Sequence, residues 1–188
     1  IHWQQYADKI NIPENPNNVL TYFSSHDTGL TRVGDQYEVG TGLVLLPGGV
    51  QIYYGDESYR EKAYVGCGDG DMMTRGDMNL NQAKTSALTA HWGKVGNFRK
   101  FNPAVGAGKG SATKRTYTGL AGDNKVAIGI SGASVDVSGL FDNGTKVYNW
   151  YDGTSATVSG GKVTFTGGSM KQPILVSDRN PAECGVTF

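Results

Sequence analysis

Long apolar runs are missing from these 188 residues. No stretch approaches the ~20 apolar residues that cross a bilayer as a helix, so a membrane-spanning helix is not expected. A surplus of either charge is missing too: 17 basic and 17 acidic residues give a formal net charge of +0. Nucleic acids and anionic membranes select basic patches, so neither is an expected partner. Cysteine is scarce. Cys67 and Cys184 either pair or stay as two unrelated thiols, and a pair would suit an exported protein. An initiator Met and a signal peptide are absent as well. The chain opens directly on "IHWQQYADKI", with helical spacing (Trp3, Tyr6, Ala7, Ile10) and no helix start signal before it. The expectation is that Ile1 is not a natural beginning and that the chain is a portion of something longer.

Glycine, by contrast, is abundant. Twenty-eight glycines are about twice the usual ~7 % share, and they crowd into the second half, as expected of tight turns between short strands. Hydrophobic residues make up 38 % of the chain, enough for a core.

The first half alternates its elements. Residues 1–10 read as helix, and Pro13 and Pro16 then break the chain. Val19 to Phe23 reads as a buried strand. Tyr37 to Leu46 reads as an apolar helix, weakened by Gly40 and Gly42 and stopped by Pro47. "GGVQIYYGDE" gives a turn, a short strand and an acidic end at Asp56 and Glu57. After a long Gly/Asp/Met loop, Ala83 to Phe101 is the clearest helix. Leu88, Trp92, Val95, Phe98 and Phe101 recur every three or four residues, and Asn102-Pro103 closes it. Strand, helix, strand, loop, helix is the grammar of a parallel α/β structure, whose functional loops follow the C-terminal ends of the strands.

The grammar changes after about Gly106. "KRTYTGL", "KVAIGIS", "SVDVSGL", "KVYNWYD", "ATVSG", "KVTFTG" and "PILVS" are short strand candidates, and "DNGT" and "SGGK" are hairpin turns. An antiparallel β domain is expected, with "NPAVGAGKGSA" as the boundary before it.

His26 and Asp27 stand directly after the first strand. On its own, such a dipeptide is more often a turn or helix cap. Here a second polar strand end, Asp56 and Glu57, follows one strand later. Adjacent parallel strands would bring the two ends together, where imidazole and carboxylate could hydrogen-bond a polyhydroxylated ligand.

Three motifs in order, "NVLTYFSSHDT", "LVLLPGGVQIYYGDES" and "TRGDMN", resemble the last two strands of the barrel in the α-amylase family of glycoside hydrolases. "TAHWGKVGNFRKFNPAVGAGK" resembles that family's last barrel helix and its exit. The resemblance covers about residues 1–110. It implies α/β plus all-β architecture: residues 1–106 as the last strands and helices of a catalytic (β/α)8 barrel, 107–178 as a C-terminal β-sandwich, and 179–188 as a tail. It implies that Asp27 is the family's third catalytic carboxylate, stabilising the transition state through the sugar hydroxyls, and that His26 binds the same sugar. Such hydrogen bonds strengthen as the oxocarbenium ion develops. The family's nucleophile and general acid/base lie on earlier strands, which this chain does not contain. Asp56 and Glu57 do not replace them, because neighbours on a strand face opposite ways. This segment alone is therefore expected to be inactive, and its partners are an α-1,4-glucan and the missing N-terminal part of the barrel. A secreted, periplasmic or extracellular location follows from the same resemblance.

The chain departs from the family pattern in places. Leu30 stands where an arginine is frequent, and Arg32 is the candidate to serve instead in substrate binding. Ser25 replaces the asparagine of chloride-binding members, so chloride activation is not expected. Leu80 stands where an aromatic is usual. The loop "GCGDGDMMTRGDMNLNQ" fails the EF-hand pattern, and the family's calcium is held by an inserted domain that would precede Ile1. No cofactor is expected to be bound here, with calcium left open for the whole enzyme. Tyr59, ahead of Tyr64, is the candidate to stack on sugar, whereas Trp92 and Trp150 read as core. The tail "RNPAECGVTF" reads as ending in the first strand of a further module. The rival to the enzyme reading is a non-catalytic glucan-binding or interaction module that kept the barrel remnant; a third reading is transglycosylation.

Overall fold

The computed structural model describes residues 14–22, 36–48, 50–52 and 82–188. A 3-10 turn at Pro16–Asn18 leads into strand β1 (Leu20–Tyr22). Helix α1 (Gln36–Leu45) and strand β2 (Val50–Ile52) follow, and β2 pairs parallel with β1, Leu20 opposite Val50 and Tyr22 opposite Ile52. Helix α2 (Gln82–Phe101) comes next, then a short helix α3 (Pro103–Ala107).

The helix stripe read from the sequence is the buried face of α2: Leu88, Trp92, Val95 and Phe98 are all inside. Leu88 and Trp92 pack on Val39 and Leu43 of α1, and Val95 and Phe98 pack on Val44 and Leu45. Gly40 explains why a glycine sits in the middle of α1. A Cβ there would stand 3.1 Å from both His91 and Trp92, so any side chain would push those two rings back by a few tenths of an ångström.

Two expectations need correction. Val19–Phe23 was expected to be a buried strand, yet Leu20 is 55 % exposed and Val19 half-buried. Its apolar character reflects β propensity rather than burial among the described residues. Asn102-Pro103 does end α2, but "NPAVGAGKGSA" is not a plain linker. Pro at the first helical position starts α3, and Ala104 and Val105 are fully buried in the core.

The second half is antiparallel throughout the described pairings. Its strands are β3 (Lys109–Gly110), β4 (Lys114–Tyr117), β5 (Asn124–Gly129), β6 (Ser134–Asp136), β7 (Lys146–Asn149), β8 (Ser155–Thr157), β9 (Lys162–Thr164) and β10 (Ile174–Ser177). Six of them form one sheet in the order β3-β4-β5-β10-β7-β8, and β6 and β9 form a two-stranded ribbon. "SGGK" is a tight turn: Gly160 and Gly161 both take positive φ, and Ser159 and Lys162 exchange backbone hydrogen bonds.

Strand alternation sorts the sheet residues to two faces. Val126, Ile128 and Leu175 join the helix-side core with Val95, Phe98 and Trp150. Ala127, Val147, Ile174 and Val176 join the opposite core with Val135 and Val163 of the ribbon. The tail does not form a strand. It turns in a 3-10 helix at Pro181–Cys184, and Cys184 and Val186 pack against the helix-side core.

Arg115, on β4, is 1 % exposed. Its guanidinium donates to the carbonyls of Leu45 and Val105, and to that of Ala112 at 3.0 Å, while Nε donates to Ser111 O at 3.2 Å. Leu45 O and Val105 O are carbonyls of the last turns of α1 and α3, where helices lack internal donors and favour cations. Arg115→Met keeps most of the volume but orphans these acceptors. At about 1–3 kcal/mol for each buried group left unpaired, the substitution is expected to lower stability by about 3 kcal/mol or more in urea unfolding of the full-length protein. A loss under ~1 kcal/mol would show that the carbonyls find other donors.

Candidate functional site

The β1–α1–β2 unit sets the site. Its parallel register places Tyr22 beside Ile52, on strands about 4.8 Å apart. His26 and Asp27 follow the end of β1 by four and five residues, and Asp56 and Glu57 follow the end of β2 at the same spacing. His26, Asp27, Arg32, Tyr59 and Cys67 themselves lie outside the described residues, as do Asp56, Glu57, Tyr64 and the expected helix over 1–10. What the structure describes is the strands that precede them in the chain, as a frame.

Several features hold that frame. Gly48, just before β2, donates its N–H to Gly106 O at 3.0 Å, and its own carbonyl accepts from Arg99. Burial lowers the Arg99 guanidinium to about 10 and Arg115, with Arg99 nearby, to about 9; both remain cationic at neutral pH. Farther along, Asn102 and Asn124 join side chains at 3.0 Å, and Asn124 Oδ1 accepts from Ala104 N.

A second polar group was missed in the sequence: Thr41, His91 and Tyr151. His91 is 2 % exposed. Its Nε2 lies 2.7 Å from the Tyr37 carbonyl and 3.4 Å from Thr41 Oγ1, whose own proton goes to Met170 O at 2.6 Å. Both neighbours are thus acceptors, so Nε2 carries the hydrogen. Nδ1 then accepts from the Tyr151 hydroxyl at 2.8 Å, a shorter contact than the 3.2 Å from that hydroxyl to Lys171 O. This cluster fastens α1 and α2 to the loops around β7 and β10. No local signal marks it, since its members are 50 to 60 residues apart in the chain.

Trp92 and Trp150 are core residues, as read. Trp92 is buried and donates Nε1 to Gln36 O at 3.2 Å. Trp150 is fully buried and donates to Arg179 O at 3.0 Å. Cys184 is half-buried. Among the described residues no group of three or more His, Cys, Asp and Glu side chains could hold a metal ion, and no helix is long and apolar enough to cross a membrane.

The periplasmic α-amylase of Escherichia coli (strain K12) is 47 % identical to this chain over 109 residues. The chain is a relative of the α-amylases. The match takes in 57 % of the chain but only 15 % of the length of that α-amylase. Solved α-amylase-type structures share the fold. The Anoxybacillus α-amylase superposes at a TM-score of 0.52 with 19 % identity, over 85 % of this chain and 38 % of its own. AmyP, solved in complex with maltose, gives a TM-score of 0.55 with 14 % identity, over 86 % and 41 %. No family model matches the chain. The α-amylase likeness therefore agrees with the motifs quoted above, and covers a fraction of the whole relative.

Burial holds the His91 imidazole at about 4, with the Tyr37 carbonyl opposing and Lys94 adding to the shift. The folded pKa lies below the unfolded value of 6.5. Between pH 6.5 and 4 the unfolded chain therefore binds the extra proton, and the folded state loses stability as pH falls, by up to ~1.4 kcal/mol per pH unit. In His91→Gln that component is expected to vanish. Urea midpoints of the two full-length proteins, measured from pH 7 to pH 4, should converge as the pH drops; parallel curves would contradict the buried neutral imidazole.

Proposed function

We propose that this chain is the C-terminal portion of a retaining α-amylase-type glycoside hydrolase acting on α-1,4-glucans such as starch and maltodextrin. The observation that carries the reading is the 47 % identity to a periplasmic α-amylase, joined to the ordered motifs around His26 and Asp27. In this reading residues 1–106 are the end of a (β/α)8 barrel, 107–178 a β-sandwich and 179–188 a tail. The parallel β1–α1–β2 unit and the antiparallel second half are what such a division would contain. The relative's name supports a periplasmic or otherwise secreted location.

Asp27 accepts hydrogen bonds from hydroxyls of the sugar at the cleavage point and stabilises positive charge as the glycosidic bond breaks. His26 and Arg32 donate to the same sugar, and Tyr59 stacks on it. The nucleophile and the acid/base, which must stand about 5 Å apart in a retaining enzyme, come from the preceding part of the barrel. Cofactor chemistry has no step here; calcium, where the whole enzyme carries it, is held by other segments. Cys67 and Cys184, if joined, would tie the tail to the barrel loop, and non-reducing mass mapping decides between a bridge and two thiols.

The test is Asp27→Asn in the full-length protein with maltoheptaose. Loss of several kcal/mol of transition-state stabilisation lowers kcat by about 10²–10³-fold, with a smaller change in KM. Unchanged kcat would remove Asp27 from the catalytic set. The isolated 188 residues are expected to give no turnover in the same assay. Glucan binding with no turnover by the full-length protein would favour the binding-module reading instead.

A further inference from the structure

Two donors close to the start of β2 have nothing to donate to. Arg99 Nη1 and Thr21 Oγ1 are both shut off from solvent, and neither has a hydrogen-bond partner. Buried polar atoms left in this condition are rare in folded proteins, and a bound ion is one of the few things that satisfies them. Both atoms stand around Gly48. Arg99 donates through its other terminal nitrogen, Nη2, to Gly48 O, and Thr21 Oγ1 lies 3.2 Å from where a Cβ on Gly48 would be. Gly106 is close by: a Cβ there would stand 3.0 Å from Gly48 O and 3.2 Å from Arg99 Nη2. Glycine at both positions leaves the guanidinium and the hydroxyl with backbone, not side chains, around them.

The charge at this point is one-sided. Arg99 and Arg115 are near enough to repel each other. Among the described residues no carboxylate pairs with either, the ion pair there being Lys114 with Asp136 on the surface. The carbonyls that Arg99 and Arg115 meet carry partial negative charge and cancel none of the net charge. Burying cations without a counter-charge is costly, and an anion held beside them offsets part of that cost.

The donor set also limits the size of the anion. Phosphate and sulfate carry several oxygens that each ask for a donor, whereas two donor atoms are idle here and backbone stands close around them. A single-atom anion accepts from any direction and is satisfied by a guanidinium N–H and a hydroxyl together. We propose that Arg99 Nη1 and Thr21 Oγ1 hold a small monovalent anion of the halide class, as a structural ion beside the start of β2. Thr21 belongs to β1 and Arg99 to α2, so the ion bridges a strand and a helix that lie far apart in the chain. It takes no part in bond cleavage, and the inference stands whether or not Asp27 is catalytic.

Thermal unfolding of the full-length protein tests it, with sodium bromide replacing sodium methanesulfonate at constant ionic strength so that general screening is fixed. An ion that binds the folded state gives a saturable rise in Tm. Thr21→Val removes the hydroxyl and should weaken the apparent bromide affinity at least tenfold, while Thr21→Ser should restore it. Arg99→Met should abolish the rise; the two Thr21 variants carry the test if that protein fails to fold. Bromide-soaked crystals should show an anomalous-scattering peak at hydrogen-bonding distance from both Arg99 Nη1 and Thr21 Oγ1. A salt response that does not saturate, or that is the same in Thr21→Val, would overturn the proposal. So would a water molecule, or a carboxylate side chain from another segment, found at that position. A peak without the saturable rise would mark an adventitious ion only and would overturn it equally.

Discussion

A cation buried without a carboxylate is the constraint on which this structure turns. Every acceptor that Arg115 meets is a backbone carbonyl, and Arg99, close enough to depress it further, also donates to a carbonyl and leaves Nη1 without a partner. Two guanidiniums side by side in a protein interior are costly. The offset lies in what the carbonyls are. Leu45 O is at the end of α1, Val105 O in the last turn of α3, and Gly48 O just before β2. Each would otherwise be an unpaired buried acceptor. Arg115 therefore fastens the ends of α1 and α3 to β4, and Arg99 fastens the start of β2 to α2, both with charge-assisted bonds.

His91 does related work with no charge at all. A protonated ring would have to be desolvated, whereas the neutral tautomer satisfies both nitrogens with Tyr37 O and the Tyr151 hydroxyl. The burial that depresses its pKa also strengthens these bonds. Thr41 extends the link to Met170 O, so the helix pair is tied to the turn after β7 and the loop before β10 as well as through its apolar face. Charged and neutral fastenings thus act at different ends of the same helices, and the shared core of Phe98, Val126, Trp150 and Leu175 fills the space between.

Much of this fold is legible in the sequence wherever period alone decides. The α2 stripe obeys a 3.6-residue spacing and is buried from Leu88 to Phe98, with Phe101 half-buried; β6 and β9 alternate while β10 is buried throughout, and Ser159–Lys162 turns on two glycines at positive φ. Pairing order is not legible. β10 enters between β5 and β7, a choice made by the two cores that its Ile174, Leu175 and Val176 must fill from opposite faces. Arg115 hides for a different reason: in "KRTY" an arginine reads as a solvated strand residue, and only the converging helix ends make burial tolerable. Gly40 reads as a weakness in α1 until His91 and Trp92 arrive at 3.1 Å. The candidate site is legible the other way round. Its residues are announced by motif order, while the described structure contributes the strands beneath them.

That division bears on how the site can be accurate. β1 and β2 are three residues each, and a two-stranded pair has little stability of its own. Catalytic groups must be held to a fraction of an ångström, and strand ends this short cannot supply that rigidity themselves. Among the described residues, part of it comes from the other end of the strands. The start of β2 is pinned through Gly48 to Arg99 and Gly106, and Gly106 belongs to α3, which Arg115 and the Asn102–Asn124 pair lock to the sheet. The antiparallel half is thus more than an appendage to the parallel one. Through a handful of carbonyls it holds the start of β2, to which the parallel register relates β1. A substitution at Arg115 would accordingly reach the β1–β2 pair by displacing strands, through α3 and Gly48.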